Sequence, residues 1–166
     1  PPVIGGVALL VTFGRRGLLG EWLYETFGIS LPFTTTAVVM AQSFVAMPFL
    51  VVAVEGALRT ADRRFEDVAA TLGASGWTTF RRVTLPAVAP GVLAGAVLSW
   101  ARALGEFGAT ITFAGTFPGT TRTMPPAAYA AINSGDVQTA IVLSLLMIVV
   151  SVTVLVALRD RWVRTG

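Results

Sequence analysis

Two groups of residues in this 166-residue sequence carry side chains able to do more than fill space. The first is Arg102 and Glu106, a cation and a carboxylate four residues apart in the stretch ARALGEFGAT. On a helix that spacing puts both side chains on one face. A charge near bilayer depth is costly and turns toward the bundle interior or water, so the pair points away from lipid. It either neutralises itself and pins neighbouring helices, or it lines a pathway and tunes the field there. A carboxylate at that place opposes a bare anion-binding ring unless Arg102 compensates it. The second group lies in residues 62–86, DRRFEDVAATLGASGWTTFRRVTLP, where charged, glycine and apolar positions recur in helical register. Elsewhere reactive chemistry is scarce. With no Cys and no His, the chain builds no disulfide framework, thiol nucleophile or Cys/His zinc site, and no metal ligands are assigned. Glu106 is the one carboxylate inside an apolar span, which leaves a membrane-embedded enzyme almost nothing for paired acid–base work. No GxxxxGK[ST] phosphate loop is present, so any nucleotide chemistry belongs to a separate protein.

The elements that carry these residues are read from hydropathy. Hydrophobic residues make up 54% and charged residues 13%, with a mean hydropathy of +0.75, far more apolar than a soluble domain needs for its core. The fold class expected is all-α, a polytopic bundle of transmembrane helices forming one domain over residues 1–166. Apolar runs mark spans at about 33–54, 88–113 and 140–158, each near the ~20 residues a helix needs to cross. Pro48 falls inside the first, where a kink is tolerated if neighbours satisfy the freed carbonyl. Residues 1–13 open without Met and give only a partial span, so the expectation is a fragment lacking an N-terminal portion. Gly91 and Gly95 form a small-xxx-small pair, and Gly105 with Gly108 slims the same span, both read as close helix contact or a tight gate.

All 12 basic residues are arginine and stand at helix ends rather than on one face, which excludes a nucleic-acid footprint despite the net charge of +3. Arg59, Arg63, Arg64, Arg81, Arg82, Arg159, Arg161 and Arg164 gather on one side of the spans, and only Arg15, Arg16 and Arg122 on the other. The positive-inside rule therefore puts the 55–87 loop and the C-terminus in the cytoplasm. On the outer side Leu18, Leu19, Trp22, Leu23 and Phe27 recur at helical spacing, as in a short helix lying at the lipid surface or meeting an external partner. Residues 116–126 read as an irregular loop, followed by a short helix over 126–133.

The 55–87 loop is too patterned to be a plain connection. Phe65, Val68, Ala69 and Leu72 follow i, i+3, i+4, i+7, with Asp62 as N-cap and Gly73 at the C-terminal turn. Ser75 caps a second helix bearing Trp77, Phe80 and Val83, which Leu85-Pro86 breaks before the next span. Such a unit buries its apolar ridges either against its own spans or in a groove on another protein.

The order Asp67-Val68-Ala69, three residues, Gly73, nine residues, Val83, one residue, Leu85-Pro86 resembles the EAA loop of ABC importer permeases. That loop reads Glu-Ala-Ala, x3, Gly, x9, Ile, x, Leu-Pro, and its short helix docks on the ATPase subunit. The departures are Asp67 for Glu, Val68 for Ala and Val83 for Ile, and the shorter Asp67 reaches less far to any salt-bridge partner. ARALGEFGATITFAG and TFPGTTRTMPPAAYAA are similar to the molybdate, tungstate and sulfate branch, the second more to the molybdate or tungstate type. The resemblance covers essentially the whole chain and implies a type I ABC importer permease fold, truncated at its N-terminus. It also implies a homodimer in the cytoplasmic membrane, two ATP-binding cassette subunits that use ATP and Mg, and an extracytoplasmic oxyanion-binding protein, with no cofactor held by this chain. Asp67, Val68, Ala69, Gly73, Val83, Leu85 and Pro86 would form the ATPase-coupling loop, and Arg102, Glu106, Gly105 and Gly108 the pathway or a structural ion pair. Thr120, Thr121, Arg122 and Thr123 would meet the delivery protein, offer donors to the anion, or form an ordinary loop. A sulfate or thiosulfate permease is the nearest alternative function, and an ATP-independent secondary transporter or channel a further one.

Overall fold

A computed structural model describes residues 2–163, with side chains as far as Ala157. Pro1, Arg164 and the side chains of Leu158, Arg159 and Arg161, used above for the span limits and the charge bias, lie outside the described residues. Among the described residues every regular element is helical. In chain order they are α1 (Pro2–Phe13), α2 (Gly20–Phe27), α3 (Thr35–Thr60), α4 (Arg64–Thr71), α5 (Gly76–Thr79), a π segment (Phe80–Thr84), α6 (Leu85–Leu104), α7 (Gly108–Phe113), α8 (Met124–Asn133) and α9 (Val137–Val163).

Three helical stretches among them are long and apolar enough to cross a membrane, Thr35–Thr60, Gly76–Leu104 and Val137–Ala157. Two differ from the expected spans. The first runs on to Thr60, because nothing in VEGALRT breaks a helix and Arg59 closes an i,i+4 ion pair on Glu55 at 2.7 Å. The second neither begins at Val88 nor continues to Phe113. It starts at Gly76 and passes through Pro86, where a break is expected. The physical reason is the π segment: Leu85 N–H bonds back five residues to the Phe80 carbonyl. That wider turn relieves the clash a proline ring makes with the carbonyl four residues earlier. The helix then ends at Leu104 and the chain turns through Gly105–Phe107 before α7. Glu106 is therefore not on the same helix as Arg102.

The chain forms two compact units, one of the residues up to Val45 and from Arg102 onward, the other Ala46–Ala101. The first has a core of Leu9, Ala37, Val38, Ala41, Ala109, Phe113 and Ala114. Glycine makes it possible: a Cβ on Gly6 would stand 2.8 Å from the Ala109 carbonyl oxygen, and one on Gly108 2.9 Å from Val3. Backbones of α1 and α7 thus touch, the use that small residues serve between membrane helices. Leu18, Trp22 and Phe27 on and beside α2 are exposed, and Trp22 meets Phe27 edge-to-face. In the second unit, Gly91 faces Ala57, Gly95 faces Ala53 and Leu50, and the Ser99 hydroxyl donates to the Ala46 carbonyl at 2.8 Å. That order of pairs runs α6 antiparallel to the C-terminal half of α3, in the close contact that the glycine spacing predicts.

Candidate functional site

The 62–86 unit is built from its caps inward. Asp62 Oδ1 accepts the Arg64 N–H at 2.9 Å, and Glu66 and Asp67 put negative charge in the first turn of α4, where the helix dipole favours it. At the other end Ala74 N–H bonds to the Ala69 carbonyl and Gly73 N–H to the Ala70 carbonyl, each at 3.0 Å. These two bonds form a Schellman closure with Gly73 as its left-handed residue, φ +78°. Ser75 Oγ then accepts the Thr78 N–H and starts α5. Trp77 stacks on Phe80, ring centroids 5.7 Å apart. The α4 segment is tied to the π segment by the Thr84 hydroxyl, which donates to Glu66 Oε1 at 2.5 Å. Sequence reading singled out Asp67 and passed over Glu66 and Thr84. An 18-residue separation in a loop carries no periodic signal, so only the folded geometry reveals that bond.

Among the described residues the apolar ridges of this unit are exposed. Leu72 is 82% exposed, Trp77 70%, Phe65 64% and Val68 56%, and neither α4, α5 nor the π segment holds a buried residue. Among the residues assigned to the loop, Asp67, Val68, Leu85 and Pro86 are exposed, and Ala69 and Val83 half-buried. The unit is thus rigid inside and apolar outside.

The second region lies at the end of α6. Glu106 is 1% exposed in its side chain and Arg102 26%, with Oε2 of the carboxylate 2.8 Å from Arg102 Nη2. Glu106 Oε1 accepts the Ala109 N–H at 2.8 Å. The carboxylate thereby joins the last turn of α6, where Arg102 complements the dipole, to the first turn of α7, which has free N–H groups. Gly105 is exposed, with open space where a Cβ would stand, whereas Gly108 is buried against α1. Phe107, between them, packs edge-to-face on Tyr129 of α8 at 5.3 Å. Beyond α7, the N–H groups of Thr120, Thr121 and Arg122 converge on the Phe117 carbonyl, and the buried Thr121 hydroxyl accepts the Phe117 N–H at 3.0 Å. Arg122 folds back on the Thr116 carbonyl at 3.4 Å. Thr121 is committed to holding this loop, while Thr120 and Arg122 are exposed on it.

Comparison with known proteins places this geometry in context. The family model described as binding-protein-dependent transport system inner membrane component matches residues 1–165. The molybdenum transport system permease protein ModB of Mycobacterium tuberculosis is 53% identical over 161 residues, 97% of this chain and 60% of the relative. Its namesake in Escherichia coli K12 is 48% identical over 134 residues, 81% of this chain and 58% of the relative. The sulfate transport system permease protein CysW of Synechococcus elongatus is 43% identical over 124 residues, 75% of this chain and 43% of the relative. The chain spans about 60% of the length of the ModB relatives it matches.

Proposed function

This chain belongs to the family of binding-protein-dependent transport system inner membrane components, and on that premise we propose that it forms part of the pore of an ATP-driven importer of molybdate or tungstate. The observation that carries the reading is the 62–86 unit. It is capped at both helix ends, cross-linked from Glu66 to Thr84, and exposes Phe65, Val68, Leu72 and Trp77. Burial of a large apolar side chain is worth roughly 1.5–3 kcal/mol, so four of them give a docking surface for an ATPase subunit real affinity. Rigidity matters as much, because a partner's nucleotide-driven motion moves spans only through an element that does not deform. The helical path from Gly76 to Leu104 provides that: displacement of the unit is displacement of a span.

The working cycle follows. ATP and Mg, held by two cassette subunits, close the ATPase dimer; the 62–86 unit of each of two permease copies moves with it; the spans switch from inward- to outward-facing access. An extracytoplasmic binding protein delivers the tetrahedral oxyanion. The unit faces the cytoplasm, in keeping with the arginine bias. The identities of 48% and 53% to proteins named for molybdenum transport support molybdate as cargo. Sulfate is a second reading, supported by the 43% identity to a sulfate permease.

The test is reconstitution of the complete permease with its cassette and binding proteins in proteoliposomes. Labelled molybdate uptake should require ATP and the ATPase subunit, and sulfate should compete weakly. Uptake that persists without the ATPase would refute the coupled-importer reading, and equal competition by sulfate would refute the assignment of cargo.

A further inference from the structure

We infer that Arg102 is a contact point for the oxyanion in transit and that Glu106 is the residue that positions it; this deepens the import reading above and rests on it. The pair is unequally hidden. Glu106 is 1% exposed and both its oxygens are occupied, one by Arg102 Nη2 and one by the Ala109 N–H. Arg102 is 26% exposed, and its guanidinium carries five N–H donors in a fork, of which the ion pair engages one nitrogen. Seen from outside the protein, the pair therefore presents a cation, with its carboxylate turned inward. An anion approaching the open side therefore meets the guanidinium first, with the Glu106 charge behind it.

The surroundings narrow what this cation faces. Arg102 stands in the last turn of a membrane-length apolar helix, where a charge exposed to lipid is strongly disfavoured and an open face turns to water or protein. With the 62–86 unit in the cytoplasm, that end of α6 is the outer one, where a delivered anion enters. The turn at Gly105 is exposed and free of side chain, so nothing on it screens the approach. A planar fork suits two oxygens of a tetrahedral oxyanion at once. Conduction also requires that the anion leave, and the Glu106 charge, held 2.8 Å away, tempers the attraction without competing for space.

The experiment uses the complete permease with its cassette and binding proteins in proteoliposomes, with labelled molybdate as the probe. The double variant R102Q/E106Q keeps amide donors and acceptors of similar size while removing both charges. Molybdate uptake should fall at least about tenfold, the loss expected for one charge-assisted contact. Arg102→Lys, which keeps the charge but not the fork, should recover part of that loss. On the unaltered protein, phenylglyoxal modification of Arg102, followed by mass spectrometry, should slow at least about threefold with molybdate present, a protection that needs no variant to fold. Wild-type molybdate uptake by R102Q/E106Q, or no protection of Arg102 in the unaltered protein, would overturn the inference. Absence of ATP-dependent uptake by the wild-type assembly would instead bring down the import reading.

Discussion

Gly73 shows how much of a unit's rigidity one residue decides. Its φ of +78° lies where L residues are strained, yet a Cβ there would meet nothing within 4 Å. The requirement is conformational and not steric. Gly73→Val should cost about 1–2 kcal/mol or more in closing α4, while Gly73→Asn should be far milder. Co-purification of the ATPase with the complete permease reads this out: valine should reduce it, and unchanged recovery with full uptake would remove Gly73 from the coupling path. Asp136 is a second single-residue device, accepting the Thr139 N–H at 3.0 Å to cap α9. Hydrogen bonds from the Thr139 side chain and backbone hold its carboxyl below the ordinary aspartate value. Because the folded value is depressed, the cap is complete at neutral pH and is lost only as pH falls through that lowered value. An NMR titration of the Asp136 side-chain carbon should show the low midpoint, and an ordinary or raised one would contradict it.

At the scale of elements, the join between α4 and the π segment and the packing of α1 on α7 are each set by very few atoms. Removing the Thr84 hydroxyl by Thr84→Val deletes the donor to Glu66 and should cost about 1 kcal/mol. Hydrogen exchange of α4 amides should then quicken by roughly fivefold, with α3 and α6 unchanged. Exchange that stays at the wild-type rate would mean α4 is held by something else. For α1 and α7 the contact is backbone to backbone. Gly6→Val would drive a side chain into Ala109 and Thr112, an overpacking expected to destabilise by about 1–3 kcal/mol. The melting temperature in detergent should drop, and a neutral outcome would show that the helices part freely.

For the whole molecule, the proposed insertion rests on the apolar character of three long helices and on the arginine bias. The absence of cysteine makes this easy to check. Single cysteines at Ser75 and at Thr120, both exposed, should be labelled by an impermeant thiol reagent from opposite sides of the membrane, Ser75 from the cytoplasmic one. Labelling of both from the same side would break the proposed topology. The exposed apolar surface sorts by place. Along α9, Ile141, Leu145, Ile148, Val152 and Leu155 lie on a helix of membrane length, whereas Phe65, Leu72 and Trp77 flank charged Asp62, Arg63 and Arg64 in a short unit. The first kind suits lipid, and the second is the surface proposed above to meet the ATPase subunit.

What the sequence determined by itself is whatever depends on local pattern. The all-helical class follows from long apolar runs, the caps of α4 and α5 from Asp62, Gly73 and Ser75, and the α3–α6 contact from glycines spaced by four. These are short-range effects, decided within a turn or two of helix. What only the tertiary structure decided involves competition between distant or opposed preferences. Proline at 86 argues for a break, and the folded chain answers with a π turn. Continuous hydropathy past Leu104 argues for a longer span, and the backbone instead turns at Gly105 so that α7 can lie against Gly6 of α1. The Glu66–Thr84 bond and the inward turn of Glu106, with Arg102 left partly open, have no periodic signature. The turn of Glu106 exists because a buried carboxylate must find donors, and for both bonds the partners within reach are settled only when the helices have met.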